Sequence, residues 1–162
     1  MQIKKITEAE LPLLAPLTAL FRTALDSYRG EAGGPDEAAA LEELQWLFDK
    51  GYPIFAAEDD GRFVGYIVCR IEDELVWVEQ LYVLPECRRR GTASKLFDEA
   101  EAIARSYGEE TVFNYIHPNN DGVIAFLASR GYTVLNLIEI RKPWPGETPR
   151  TKISVGGHEF DY

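Results

Sequence analysis

The residues best suited to chemistry lie between positions 77 and 94, where an apolar strand leads into a basic loop. Alternation of apolar residues over Leu75–Val83 predicts a β-strand. The arginines 88–90 then precede Gly91, where a helix is predicted to begin. The first amide groups of a helix lack intrahelical partners, and the helix dipole adds positive potential. This order of residues therefore suits a phosphate or pyrophosphate ligand.

Small side chains leave the backbone of this loop accessible. Gly91 has no side chain, and Ala93 and Ser94 have short ones. The spacing matches neither a Walker loop nor a dinucleotide-binding fingerprint, because Gly-x-x-x-x-Gly-Lys and Gly-x-Gly-x-x-Gly are both absent. On the residues alone, a solvated run of arginines remains the alternative to an anion site.

The same segment resembles the acyl-CoA-binding motif of the GCN5-related N-acetyltransferase (GNAT) superfamily. That motif reads Arg/Gln-x-x-Gly-x-Gly/Ala and follows a strand ending in hydrophobic-x-Val. The matching residues are Arg88, Gly91 and Ala93, with Leu81 and Val83 before them.

A second motif of this superfamily follows in the expected order. It consists of a strand, Pro-x-Asn, a short helix and a glycine followed by an aromatic residue. The chain has His-Pro-Asn-Asn at 117–120 and Gly-Tyr at 131–132. The resemblance covers nearly the whole domain and implies an α+β fold. The implied central sheet is mixed, mostly antiparallel and six- to seven-stranded, with about four flanking helices.

The resemblance also implies where acyl-CoA binds. In this family the strand bearing Leu81 splays away from the strand at 113–116, and the pantetheine arm lies in the gap. Asn120 matches an asparagine whose side chain reaches the cofactor, although a helix N-cap is the alternative role. The implied acyl-CoA-binding residues are Leu81, Val83, Arg88, Arg89, Arg90, Gly91, Thr92, Ala93, Ser94 and Asn120.

In the reaction that the resemblance implies, an amine attacks the thioester carbonyl of acetyl-CoA. Glu79 is the candidate general base, because it lies on the strand that meets the thioester and shares side-chain parity with Leu81 and Val83. The alternative is a strand glutamate that is exposed or held in an ion pair.

The sequence departs from the family at the acid that protonates the leaving thiolate. Many members carry a tyrosine four residues before the glycine that ends the short helix, and here Leu127 stands at that position. Tyr115 is the replacement candidate, with Tyr132 and His117 nearby in sequence. Departure of the thiolate without a dedicated acid remains open.

The acceptor is predicted to be a cationic amine. In this family the connection between the first two helices contributes to the acceptor site, and here it carries Glu31, Asp36 and Glu37. Such acids would favour an alkyl amine, polyamine, aminoglycoside, lysine side chain or peptide N-terminus. A solvated acidic loop is the alternative.

Hydrophobic periodicity predicts the remaining elements. Helical stripes begin near residue 8 and at 41–48, and a third helix extends from 91 to 107. Strands are predicted at 52–57, 63–71, 75–83 and 111–116, followed by a short helix at 120–130 and a strand at 132–140.

Length and charge limit the function classes. The chain has 162 residues and a net charge of −10, which argues for one domain and against nucleic acid as a partner. Two cysteines and the absence of a signal-like or membrane-spanning apolar run predict a cytoplasmic protein that contacts no membrane. His117 and His158 lie far apart without cysteines at ligand spacing, so no metal site is expected.

The domain is predicted to span residues 1–142, with 143–162 as a C-terminal extension. Strand residues around Gly156-Gly157 predict a hairpin that covers a sheet edge or reaches a second subunit. Because homodimers are common in the family, the resemblance implies a homodimer.

Three functions therefore stay open at this stage. The first is an acetyl-CoA:amine N-acetyltransferase. The second is a catalytically weak acyl-CoA-binding regulatory module, which Leu127 keeps open. The third is a nucleic-acid-binding protein that uses the arginine triplet, which the net charge disfavours.

Overall fold

The computed structural model describes residues 1–149 and 151–162. The chain divides into two compact units, residues 1–124 and 125–162. Among the described residues, no helix is both long enough and apolar enough to cross a membrane.

Four α-helices and seven strands make up the described chain. The α-helices are α1 (Leu11–Tyr28), α2 (Glu37–Asp49), α3 (Thr92–Ser106) and α4 (Asp121–Ser129). The strands are β1 (Gln2–Lys5), β2 (Ile54–Asp59), β3 (Arg62–Glu72), β4 (Leu75–Val83), β5 (Phe113–Asn114), β6 (Lys152–Val155) and β7 (His158–Asp161).

The first unit is built around a five-stranded sheet in the order β1-β2-β3-β4-β5. The first four strands pair antiparallel, and β5 pairs parallel to β4. The predicted meander is therefore confirmed. The sequence analysis did not predict β1, whose four residues alternate weakly between apolar and charged and are held by pairing with β2.

The helices α1 and α2 pack on this sheet through apolar stripes. The Asp36 carboxylate caps α2 by accepting a hydrogen bond from the amide of Ala39 at 3.0 Å. The central core cluster consists of Ile6, Leu11, Leu14, Ala15, Leu17, Leu44, Leu47, Ile54, Ala56, Tyr66, Val68 and Tyr82.

The strands β4 and β5 separate after a very short contact. Their pairing is limited to Trp77 with Phe113 and Val78 with Asn114. The resemblance predicted a splayed strand pair, and the structure confirms it. The gap between the strands opens at Glu79, the next residue of β4.

The second unit contains the β6–β7 hairpin, which confirms the predicted turn at Gly156-Gly157. The prediction of a strand at 132–140 is wrong, because no regular strand forms there. A strand needs a neighbour to satisfy its backbone groups, and no described residue of this chain pairs with that segment.

The α+β class, the mostly antiparallel sheet and the four helices are confirmed. The predicted six to seven strands in the central sheet are wrong, since it has five. The other two strands form a separate sheet in the hairpin.

Candidate active site

The loop between β4 and α3 adopts a backbone that exposes its amide groups. Arg89 and Gly91 have positive φ angles of 58° and 79°, and Gly91 is the N-cap of α3. Consecutive amides in such alternating conformations form concave surfaces that bind anions. Thr92 closes the loop, because its hydroxyl donates to the carbonyl of Cys87 at 3.2 Å.

The amides of this loop are available to a ligand. The N–H groups from Arg89 to Gly91 donate to no acceptor among the described residues. The next three, from Thr92 to Ser94, open α3 and have no intrahelical acceptor. A Cβ added at Gly91 would meet no atom within 4 Å, so the space in front of the loop is open.

The three arginines of the loop do not play one role. Arg88 folds back onto the sheet, where its Nε donates to the carbonyl of Val83 at 2.9 Å. Its guanidinium also lies 5.6 Å from the centre of the Tyr82 ring. All three arginines are exposed, and Arg89 and Arg90 are the two that do not fold back onto the sheet in this way.

Glu79 lies at an irregularity of the sheet. Val68 pairs with Gln80 and Cys69 with Val78, so Glu79 is the extra residue of a β-bulge. Bulges re-aim side chains and occur often beside active sites. The exposed Glu79 carboxylate accepts a hydrogen bond from Nε of Arg70 at 3.2 Å.

Arg70 connects the two predicted catalytic residues. Besides Glu79, it pairs with the Glu72 carboxylate at 2.7 Å. Its guanidinium lies 4.7 Å from the Trp77 ring centre and 5.9 Å from that of Tyr115. The structure thus brings Glu79 and Tyr115 to one arginine. Sequence reasoning missed Arg70, because its position opposite β4 depends on the register of β3.

Asn120 is held from two sides. Its side-chain oxygen accepts from the Val123 amide at 3.3 Å, which makes it a helix cap, and from the Tyr28 hydroxyl at 3.1 Å. Asn119 donates to the Tyr28 carbonyl at 2.9 Å. Because both bonds use the oxygen of the Asn120 amide, its NH₂ group can serve as a donor to a ligand.

His117 packs on the same tyrosine. The rings of Tyr28 and His117 are stacked, with centroids 5.9 Å apart. Burial, followed by the charge of Arg29, lowers the pKa of His117 below its usual value. Tyr28 at the end of α1 thereby organises the loop between β5 and α4, a role that a lone tyrosine in the sequence did not reveal.

A cavity of about 240 Å³ lies between α1 and α2. Its charged lining residues are Asp26, Asp36, Glu43 and Arg22. Of the three acids predicted for the acceptor, Asp36 lines this cavity, whereas Glu31 and Glu37 do not. Asp26 and Glu43 were missed, since both lie within predicted helices rather than in the connection between them.

A polar chain joins this cavity to β4. The Tyr66 hydroxyl donates to the side chain of Gln80 at 2.8 Å, and Gln80 donates to the Glu43 carboxylate at 2.7 Å. Arg22 forms an ion pair with the same carboxylate. Because Gln80 is the immediate neighbour of Glu79, one strand carries both the bulge and the link to the cavity.

Two further sequence expectations concern residues outside this cluster. Leu127, at the position where many family members carry tyrosine, is buried. Among the described residues, no group of three or more His, Cys, Asp or Glu side chains could hold a metal ion.

Comparison with known proteins agrees with this geometry. The chain is 31% identical over 91 residues to uncharacterized N-acetyltransferases of Mycobacterium bovis and Mycobacterium tuberculosis. That match covers 56% of this chain and 58% of each relative. The chain therefore spans somewhat more than half the length of the curated relatives it matches.

Solved structures share the fold at low identity. An aminoglycoside 6'-N-acetyltransferase, AAC(6')-IG from Acinetobacter haemolyticus, superposes with a TM-score of 0.66 at 22% identity, covering 89% of this chain and 99% of that one. A ribosomal-protein-alanine N-acetyltransferase from Brucella melitensis gives 0.68 at 18% identity, with 89% and 100% covered.

The family assignment rests on a match to a family model, which is independent of these superpositions. The model of the acetyltransferase (GNAT) family matches residues 17–132, which is more than half of the chain and includes the loop, the bulge and Asn120. This protein belongs to the acetyltransferase (GNAT) family.

Proposed function

We propose that this protein transfers the acetyl group of acetyl-CoA to a primary amine on a cationic acceptor. The observation that carries the proposal is the arrangement around β4. The gap between β4 and β5 opens at Glu79, and the strand then leads into a loop of unpaired amides at Arg89–Ser94. One strand thus joins a candidate base to a candidate phosphate site.

The loop residues fit the phosphate groups of CoA. Backbone amides of Arg89, Gly91 and Ser94 and the charges of Arg89 and Arg90 would hold the pyrophosphate. Arg88 would act indirectly, because it ties the loop to the carbonyl of Val83. That bond uses the Val83 carbonyl, so pantetheine pairing at this residue would compete with it or share the oxygen.

The thioester supplies an activated acyl group, and the chain must supply a base and a position for the amine. The amine nitrogen forms a bond to the acyl carbon while the bond from carbon to sulfur breaks. Glu79 accepts the proton that the amine loses. Tyr115, next to Arg70, is the candidate donor to the thiolate, and water can serve in its place because Tyr115 is exposed.

The acidic cavity supports a cationic acceptor. The cavity lining contains three acidic residues, Asp26, Asp36 and Glu43. It contains only one basic residue, Arg22, so the lining carries a net negative charge. A positively charged amine would gain electrostatic energy there. The names of similar proteins, which act on aminoglycosides and on ribosomal-protein alanine, fall within the same chemical class of amine acceptor.

The proposal is tested by comparing two glutamates that share Arg70. Glu79→Gln keeps the size of the side chain and removes the base, and Glu72→Gln removes the other carboxylate on the same guanidinium. We expect Glu79→Gln to lower kcat/KM by about 10²–10⁴-fold with an unchanged Kd for CoA. Glu72→Gln should change kcat/KM by less than about 3-fold.

The readout is thiol release in steady-state assays with a panel of amines, measured from pH 6 to 10. Equal losses in both variants would show that the carboxylates act only by holding Arg70. Wild-type kcat/KM in Glu79→Gln would reject the base assignment. CoA binding without turnover for any amine would instead support an acyl-CoA-binding regulatory module, the alternative that Leu127 at the usual tyrosine position leaves open.

A further inference from the structure

Gln80 is a polar side chain at a buried position of the central sheet. It is 3% exposed and lies opposite Val68 on β3, a member of the central core cluster. A buried amide destabilises the folded state unless its hydrogen bonds are made. Packing alone therefore gives no reason for a glutamine at this position, and its hydrogen-bond partners have to be considered.

Both ends of the Gln80 amide are bonded. Its oxygen accepts from the Tyr66 hydroxyl at 2.8 Å, and its NH₂ group donates to the Glu43 carboxylate at 2.7 Å. Tyr66 is fully buried, and burial raises the pKa of its hydroxyl, which therefore stays protonated and able to donate. Arg22 holds Glu43 through both carboxylate oxygens. We call Tyr66, Gln80 and Glu43 the glutamine clamp, since the amide is held between β3 and α2.

The glutamine clamp lies beside the bulge that presents Glu79. Val68 pairs with Gln80, and the next pair along the two strands skips Glu79. If the extra residue moved one position toward Val83, Val68 would pair with Glu79, and a carboxylate would lie where the amide now lies. A carboxylate only accepts hydrogen bonds, so it cannot donate to Glu43, and the two charges would repel one another. The clamp therefore favours the observed bulge over this alternative.

A second contact holds the other residue of the bulge. Nε of Arg70 donates to the Glu79 carboxylate at 3.2 Å, and the Arg70 guanidinium lies 4.7 Å from the centre of the Trp77 ring. The two neighbours on β4 thus have separate partners: a carboxylate on α2 accepts from the amide, and a guanidinium on β3 donates to the carboxylate. Exchanging the two side chains would leave both partners mismatched.

We propose that Gln80 is a positioning residue, whose clamp fixes the bulge of β4 and so presents the Glu79 carboxylate beside Arg70, where the gap between β4 and β5 opens. Gln80 acts through Glu79 rather than on the reacting atoms. The inference rests on the proposed function only for the role of Glu79 as the base. The clamp and the bulge themselves can be measured without turnover.

The test replaces the donor by an acceptor of the same size. Gln80→Glu places a carboxylate against Glu43, so the protected β4 amides near the bulge should exchange hydrogen about 10- to 100-fold faster, the range expected for a lost bond to a charged group. Amides of α3 should not change. The matched control is Gln45→Glu on α2, because the Gln45 amide also donates to a carboxylate, that of Asp49 at 3.0 Å, but lies outside the clamp. It should leave exchange in β4 unchanged.

Kinetics distinguishes positioning from a purely structural role. Gln80→Glu should lower kcat at saturating amine by about 10- to 100-fold, since a misplacement of about 1 Å costs up to about 10²-fold. In a Glu79→Gln background the same substitution should lower kcat by less than about 2-fold, because the group that it positions is already removed. Equal losses in both backgrounds would overturn the positioning role. Wild-type kcat in Glu79→Gln would instead refute the base of the proposed function, and hydrogen exchange would then decide on the clamp by itself.

Tyr66→Phe keeps the proposal falsifiable where Gln80→Glu does not fold. It removes only the hydroxyl that donates to Gln80, so the same β4 amides should exchange about 2- to 10-fold faster. Cross-strand NOEs between Val68 and residue 80 report the register in each variant. Wild-type exchange and wild-type register in either folded variant would overturn the proposal, because the bulge would then be fixed without the clamp.

Discussion

The sharpest test of the phosphate site is a charge placed at Gly91. This residue caps α3 with φ of 79°, and a Cβ there would meet no atom within 4 Å. The first side-chain atom of a glutamate at this position therefore meets no clash within the protein. It should strain the backbone by about 1–2 kcal/mol, since L-residues disfavour positive φ. It would also place a carboxylate where the phosphates of CoA are expected.

Gly108 offers a matched control on the same helix. It has φ of 86°, a Cβ added to it would also meet no atom within 4 Å, and it follows the C-terminus of α3. The fifteen residues of α3 separate the two glycines by about 22 Å. Gly108→Glu should cause the same strain without approaching the loop, so both variants should lose about 2–8 °C in Tm.

The two variants should differ only in CoA binding. Two unit charges 4 Å apart interact by about 1 kcal/mol in water and about 4 kcal/mol at an effective dielectric constant of 20. Gly91→Glu should therefore raise the Kd for CoA by at least about 5-fold. Titration calorimetry at 0.1 M salt measures this, and the difference should shrink at 1 M salt because charges are then screened beyond about 3 Å.

Two results would refute the reasoning. One is a folded Gly91→Glu variant that binds CoA within about 2-fold of wild type, which is less than the weakest expected repulsion. The other is an equal loss of CoA affinity in Gly108→Glu, which would attribute the effect to helix strain rather than to phosphate recognition.

Two further outcomes are expected. Tyr28→Phe should weaken CoA binding about 2- to 10-fold, because it releases the side-chain amide of Asn120. It should cause no further loss in an Asn120→Ala background, and the control Tyr107→Phe should have no effect on CoA binding. Calorimetry on the three single variants and the double mutant measures these Kd values. A hydrogen bond from Lys4 lowers the pKa of Glu10 to about 2, below its unfolded value of 4.5. The stability that this carboxylate contributes is therefore present above about pH 4.5 and lost as the pH falls toward 2. Glu10→Gln should accordingly lower Tm at pH 7, with the difference closing at low pH in thermal melts.

The local sequence pattern was sufficient to predict the parts of the site that are contiguous in the chain. The strand over Leu75–Val83, the loop and the helix after Gly91 are recognisable because alternation, a glycine and a helical stripe each depend on near neighbours. The hairpin around Gly156-Gly157 is predictable for the same reason, since two residues of positive φ set its turn.

Contacts between residues that are distant in the sequence could be found only from the tertiary structure. Arg70 meets Glu79 only through the register of β3 and β4, and the bulge that presents Glu79 exists only as a mismatch between two strands. Tyr28 meets Asn120 across 92 positions of sequence. No local propensity encodes such distances.

The segment at 132–140 shows the limit most clearly. Its residues determined the prediction of a strand, because their apolar and β-branched side chains favour one. Whether a strand forms was decided by the presence of a pairing neighbour, since backbone groups in a sheet are satisfied only by another strand. The amino-acid sequence thus determined the preference of this segment, and the tertiary structure of the described residues provides no strand that pairs with it.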